Sequence, residues 1–144
     1  MKSLVIDASV IIKWLLPDRA EEGHLQQALF LLGLIRQGAV KVLQPPHWLA
    51  ESAAVIVRLQ PKIAGESIDL LYALEFPTIN VPEIYSIACH LSKQLGHHLF
   101  DTLYHAVAIY NGNAEFVTAD EQYYKKAYKH GSILRLADYP IFNN

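Results

Sequence analysis

The chain is short of charge and of cysteine. Lys, Arg, Asp and Glu make up 18% of its 144 residues, against roughly 25% in an average soluble domain. Hydrophobic residues reach 52%, enough apolar surface to offset chain entropy and to exclude a disordered polypeptide. The one cysteine, Cys89, excludes an intramolecular disulfide. No stretch approaches the roughly 18 consecutive apolar residues of a membrane span. The first apolar run breaks at Asp7, and the second is interrupted by Lys13 and ended by Pro17. No small-residue cleavage pattern follows, so a signal peptide is not expected and a soluble, cytoplasmic protein is. Low-complexity tracts, repeats, Gly-rich phosphate loops and an H-E-x-x-H zinc motif are all missing. A formal net charge of −2 excludes a simple polycation that coats nucleic acid, though not a local basic groove. The length fits one domain spanning residues 1–144, large enough to fold without staples.

What is present is an alternation of short apolar runs with longer helical patterns. Strands are expected at 4–6, 40–43, 78–81, 115–118 and 133–136. Helices are expected at 10–16, with Ser9 as N-cap, and at 20–37, 47–59, 64–75, 82–95, 102–110 and 121–129. Strands alternating with helices imply crossover connections, hence an α/β fold with a mostly parallel sheet and helices on both faces. In such sheets ligands bind beyond the carboxyl ends of the strands.

With only fourteen acidic residues, each can be weighed. Four sit in apolar company: Asp7 and Asp120 after strands, and Glu51 and Asp101 among helical apolar residues. Asp7 and Asp101 each have a competing role as a helix N-cap, the latter with Phe100 as hydrophobic staple. Thr118-Ala119-Asp120-Glu121 fits a capping box. Glu51 is hardest to explain structurally, because Arg58 and Lys62 are too far along its helix for an i,i+4 pair. A helix-interior carboxylate among Ala, Leu and Val is costly unless paired or metal-bound. Together the four suggest hard oxygen ligands for Mg²⁺ or Mn²⁺, if the fold unites positions 7, 51, 101 and 120.

The histidines offer an alternative. His47 and His105 lie four residues from Glu51 and Asp101, a spacing that puts each pair on one helix face, and His97-His98 precede Asp101. A His-rich dimetal hydrolase is one reading; loop and helix-end histidines, with 97 and 98 in a loop after Gly96, are the other. Lys125, Lys126, Lys129, His130 and Arg135 form the basic cluster, either a guide for phosphates or a solvated helix face. Tyr123, Tyr124 and Tyr128 suit base stacking, with at least one of them in the core. Cys89, on a helix with Ile84, Ile87 and Ala88, reads as core. Ser9 stands where a haloacid-dehalogenase phosphatase would need Asp.

Four segments carry a family resemblance: Val5-Ile6-Asp7-Ala8-Ser9-Val10, Pro46-His47-Trp48-Leu49-Ala50-Glu51, Phe100-Asp101-Thr102-Leu103-Tyr104-His105-Ala106-Val107-Ala108 and Val117-Thr118-Ala119-Asp120. In order, spacing and total length the chain resembles PIN-domain ribonucleases, most of all the toxins of VapBC toxin–antitoxin modules. The resemblance implies a three-layer α/β/α fold and a metal-dependent endoribonuclease. Asp7, Glu51, Asp101 and Asp120 match the family's acidic residues and would hold Mg²⁺ or Mn²⁺, with Ser9 and Thr118 in support. One departure is Thr102, where Ala is commoner. The implied partners are an RNA substrate, a cognate VapB-like antitoxin and a second copy in a homodimer, with no membrane. Two other functions stay open: a PIN-type nuclease of RNA processing or DNA metabolism without an antitoxin, and a non-catalytic PIN-like binding module.

Overall fold

The computed structural model describes residues 2–18 and 23–140. Among these residues four strands form one all-parallel sheet: β1 (Ser3–Ile6), β2 (Lys41–Val42), β3 (Ala114–Thr118) and β4 (Ile133–Arg135), in the order β2-β1-β3-β4. Among the described residues seven α-helices connect or flank them: α1 (Ala8–Leu15), α2 (Leu25–Arg36), α3 (Trp48–Leu59), α4 (Ala64–Tyr72), α5 (Pro82–Leu95), α6 (Leu99–Asn111) and α7 (Glu121–Ala127). Successive residues of a strand face opposite sides of its sheet. Leu4, Val5 and Ile6 are all buried, as are Phe116, Val117 and Thr118. Both faces of the central pair are therefore covered, the α/β architecture the alternating pattern predicts. No described helix is long and apolar enough to cross a membrane.

Several expected boundaries shift. Helix α1 starts at Ala8, so Ser9 lies inside it and Asp7 takes the N-cap position. The 20–37 helix is realised as Leu25–Arg36, and residues 20–22 lie outside the described residues. Helix α4 stops at Tyr72 rather than 75, and α7 tightens into a 3₁₀ turn, Tyr128–His130. The expected 78–81 strand reduces to one parallel bridge between Gln44 and Thr78. Its ladder cannot extend, because Pro45 and Pro46 follow Gln44 and have no N–H to donate. Helix α6 begins three residues early, at Leu99. His98 is its N-cap and accepts from the Phe100 N–H, so Asp101 does not cap it. Phe100 is half exposed and lies inside α6, so it does not precede the cap as a staple would; its ring packs on His47 and His98. Cys89 is exposed, not core. Helix α5 buries Ile84, Ala88 and Leu91, and Cys89 sits one residue, or 100°, off that stripe.

Two buried polar contacts fix the parts that matter most. Gln44 is fully buried. Its side-chain amide accepts from Ile6 N–H at 2.8 Å and donates to Ile6 C=O at 2.9 Å. It thus pairs with the last residue of β1 as a neighbouring strand would, just after β2 has ended. Thr102, the departure noted above, donates its hydroxyl to Ala88 C=O at 2.9 Å and ties α6 to α5.

Candidate metal centre

In a parallel sheet all strands end at one edge. Asp7 follows β1 directly, and Asp120 follows β3 by two residues, so both stand at that carboxyl edge. Glu51 lies in the first turn of α3 and Asp101 in the first turn of α6. Glu51 is therefore at a helix start, not in a helix interior as its apolar neighbours suggested. All four carboxylates line one cavity of about 550 Å³. Single oxygens of Asp7, Glu51 and Asp101 approach within 4.8 Å of one another.

The Asp7 side chain makes no capping bond to α1. Its Oδ2 accepts from Ser9 Oγ at 2.7 Å and from Thr118 Oγ1 at 2.8 Å. Ser9 Oγ also accepts from Ala119 N–H, and Thr118 Oγ1 from Asp120 N–H. These hydroxyls lock β1, α1 and the end of β3 around one carboxylate. Asp120 does cap α7, its Oδ1 accepting from Tyr123 N–H at 3.1 Å, while Oδ2 is left on the side of the cavity nearer His97.

Burial raises the proton affinity of Asp7, Glu51 and Asp101. Asp7 is pushed up to about 6, chiefly by burial; the Ser9 and Thr118 hydrogen bonds oppose that, and the charges of Asp101 and Asp120 add to it. Glu51 is pushed up to about 7 by burial and by the charges of Asp7 and Asp101. Asp101 is also raised, by burial first, against the opposing pull of His97. Beside Glu51 the Tyr104 hydroxyl is buried and lacks a hydrogen-bond partner of normal geometry. A set of buried and part-buried carboxylates that repel one another, with a buried polar atom left over, is a site short of positive charge. Its all-oxygen donors suit a hard divalent cation.

The histidines divide. His47 Nε2 stands 3.7 Å from Glu51 but bonds Phe100 C=O at 2.8 Å. His105 is fully buried and spans Tyr123 Oη and Gly131 C=O, away from the cavity. His97 lies in the loop between α5 and α6, as expected, and from there its Nε2 reaches Asp101 Oδ2 at 2.9 Å. Two cations missed from sequence, Lys13 and Arg58, line the same cavity. Their signal was helical phase: Lys13 is four residues after Ser9, and Arg58 seven after Glu51, each on one helix face. Of the basic cluster, Lys125 and Lys129 are exposed, and Arg135 pairs with Asp138 and Glu121. Tyr123 is core, while Tyr124 and Tyr128 stack on each other at 5.9 Å.

The PIN domain family model matches residues 4–129. The chain belongs to the PIN domain family. No curated protein matches it. PIN domains are in general metal-dependent nucleases, and the acidic cavity lies where β1, α3, α6 and the end of β3 of this PIN domain meet.

Proposed function

We propose that this PIN domain is a divalent-cation-dependent endoribonuclease and acts as the toxin of a toxin–antitoxin pair. The observation that carries the nuclease reading is the convergence of Asp7, Glu51 and Asp101 in one charge-deficient cluster, with Asp7 buried and the other two part-buried. Asp7, Glu51, Asp101 and Asp120 would hold Mg²⁺ or Mn²⁺. Such an ion supplies a water of lowered pKa and polarises a phosphoryl oxygen, so no protein nucleophile is needed. Ser9 and Thr118 orient Asp7 through their hydroxyls. Lys13 and Arg58 put positive charge on the wall of the same cavity, where a neighbouring phosphate of an RNA strand would gain a partner. The net charge of −2 makes such local cations the main electrostatic guide.

The toxin assignment rests on the resemblance of the four motif segments. It predicts an antitoxin that places a basic side chain in the acidic cavity, where a cation meets the same charge deficit. A homodimer belongs to the same reading.

Expression of the chain alone should arrest growth, with relief on co-expression of the adjacent antitoxin. Sequencing of RNA ends after brief expression should reveal cleavage that Asp7→Asn, Glu51→Gln and Asp101→Asn each abolish. Growth arrest without new RNA ends would refute the ribonuclease. Harmless expression of a folded protein would refute the toxin.

A further inference from the structure

His97 is not a free loop residue. Gly96 ends α5 in the left-handed region at φ 61° and turns the chain back toward the start of α6. The His97 backbone is then tied at both ends to Ser92: its N–H donates to Ser92 C=O, and its C=O accepts from Ser92 Oγ. Its ring packs edge-on against the buried Tyr123 ring, centroids 4.9 Å apart. Only 13% of the side chain is exposed. Held this way, Nε2 lies 2.9 Å from Asp101 Oδ2 and 4.0 Å from Asp120 Oδ2.

His97, Asp101 and Asp120 each place one ligand atom within 4.8 Å of the others. That is the spread of donor atoms around one small divalent ion, since bonds near 2.0–2.2 Å set opposite ligands about 4 Å apart. Asp101 belongs also to the set with Asp7 and Glu51. One carboxylate thus joins two donor sets of different chemistry: three carboxylates within, and an imidazole with two carboxylates toward the rim. Paired ions in nuclease centres stand about 3.5–4 Å apart, a separation one carboxylate spans.

We propose that His97 Nε2 is itself a metal ligand, at the outer of two unequal cation positions that share Asp101. The proposal rests on the reading that the acidic cluster binds divalent ions. Imidazole suits Zn²⁺, Fe²⁺ and Ni²⁺, while Mg²⁺ favours oxygen; Mn²⁺ also favours oxygen but accepts an imidazole nitrogen more readily than Mg²⁺ does. The inner position takes Mg²⁺ or Mn²⁺; the outer discriminates against Mg²⁺. With Nε2 engaged, the ring hydrogen sits on Nδ1. Lys126 Nζ, now 3.3 Å from Nδ1 and 3.4 Å from Gly96 C=O, then keeps the carbonyl and turns from the ring. The alternative is that His97 only orients Asp101 through their hydrogen bond, a positioning role with no metal–nitrogen bond.

Mn²⁺ titrated into the EDTA-treated full chain separates the two by electron paramagnetic resonance. The free-ion signal counts bound Mn²⁺, and electron spin-echo modulation reports a coordinated nitrogen. The expected result is two Mn²⁺ per chain, ¹⁴N modulation from one imidazole, and displacement by excess Mg²⁺ of the ion that lacks it. His97→Gln, which can still hydrogen-bond Asp101, should lose the modulation and weaken one Mn²⁺ at least tenfold. His90→Gln, on the exposed side of α5, should change neither. Bound Mn²⁺ without ¹⁴N modulation in the unmutated chain overturns the proposal and leaves the acidic centre standing, whether or not the variant folds. No Mn²⁺ bound at all overturns the metal centre with it.

Discussion

Neutralising Asp7 should make the metal-free protein more stable at neutral pH, although the proposed nuclease would depend on Asp7. The carboxyl is 6% exposed, and burial raises it from its ordinary 3.8 to about 6. The folded state therefore holds this proton at pH values where the unfolded chain has released it. Stability from the group is complete below about pH 3.8 and is lost as pH rises toward about 6. At about 1.4 kcal/mol per pH unit, that span amounts to about 3 kcal/mol at pH 7.5. Asn keeps one carbonyl oxygen to accept from Ser9 and Thr118 and never ionises. In a chain of 144 residues the relief should raise Tm by roughly 5–10 °C. Glu51, pushed up to about 7 with Asp7 among its causes, titrates with Asp7 rather than beside it, so the two terms do not simply add.

Thermal melts of wild type and Asp7→Asn in EDTA, at pH 4 and pH 7.5, measure the effect. The gain should be large at pH 7.5 and fall well below 1 kcal/mol at pH 4, where wild-type Asp7 is itself protonated. Mn²⁺ at 100 times its dissociation constant should return about 2.7 kcal/mol to wild type and much less to the variant. Equal Tm values at pH 7.5, or a difference indifferent to pH, would refute the buried-charge account.

Two other perturbations probe the frame and the wall. Gln44→Leu should strand the buried N–H and C=O of Ile6 and cost about 3 kcal/mol in urea unfolding, with nuclease activity falling because Asp7 follows directly; an unchanged midpoint would mean that the amide pairing is dispensable. Arg58→Gln should weaken RNA binding and lower its logarithmic salt slope by about 0.7, the value for one single-strand phosphate contact, while Mn²⁺ binding stays as in wild type; an unaltered slope would remove Arg58 from the RNA path.

Sequence carried most of this site because the informative residues were anomalies in their surroundings. Glu51 among Ala, Leu and Val, and Asp7 at the end of an apolar strand, are visible without coordinates. The parallel sheet then follows from alternation, and it places Asp7 and Asp120 at one edge. The rest depends on contacts that local pattern does not encode. Gln44 precedes two prolines and looks like loop, yet its amide does the work of a strand. His97 reads as loop because Gly96 ends α5, and only the packing of α5 on α6 carries its ring to Asp101. The expected strand at 78–81 failed for a local reason, the prolines after Gln44, that outweighed its apolar pattern.

The competition between capping and chemistry, even-handed in the sequence, has a structural cause. Each of the four carboxylates stands at or within the first turn of a different helix: Asp7 at α1, Glu51 in α3, Asp101 in α6 and Asp120 at α7. Helix N-termini favour negative charge, and that is where Asp and Glu accumulate for reasons of stability alone. Here four such termini meet over one sheet edge. The dipoles contribute about 0.3–1 kcal/mol each when exposed, less than the roughly 3 kcal/mol that burial costs Asp7 by its raised proton affinity. Helix ends can therefore gather the carboxylates, but they do not offset what ionising Asp7 and Glu51 costs in this site. Asp120 divides the two roles, with one oxygen on the Tyr123 N–H and the other left toward His97. Asp7 has abandoned capping for the hydroxyls of Ser9 and Thr118. The charge that four N-termini leave uncompensated is what a divalent cation or a partner's basic side chain would meet, and both would compete for the same ionised form.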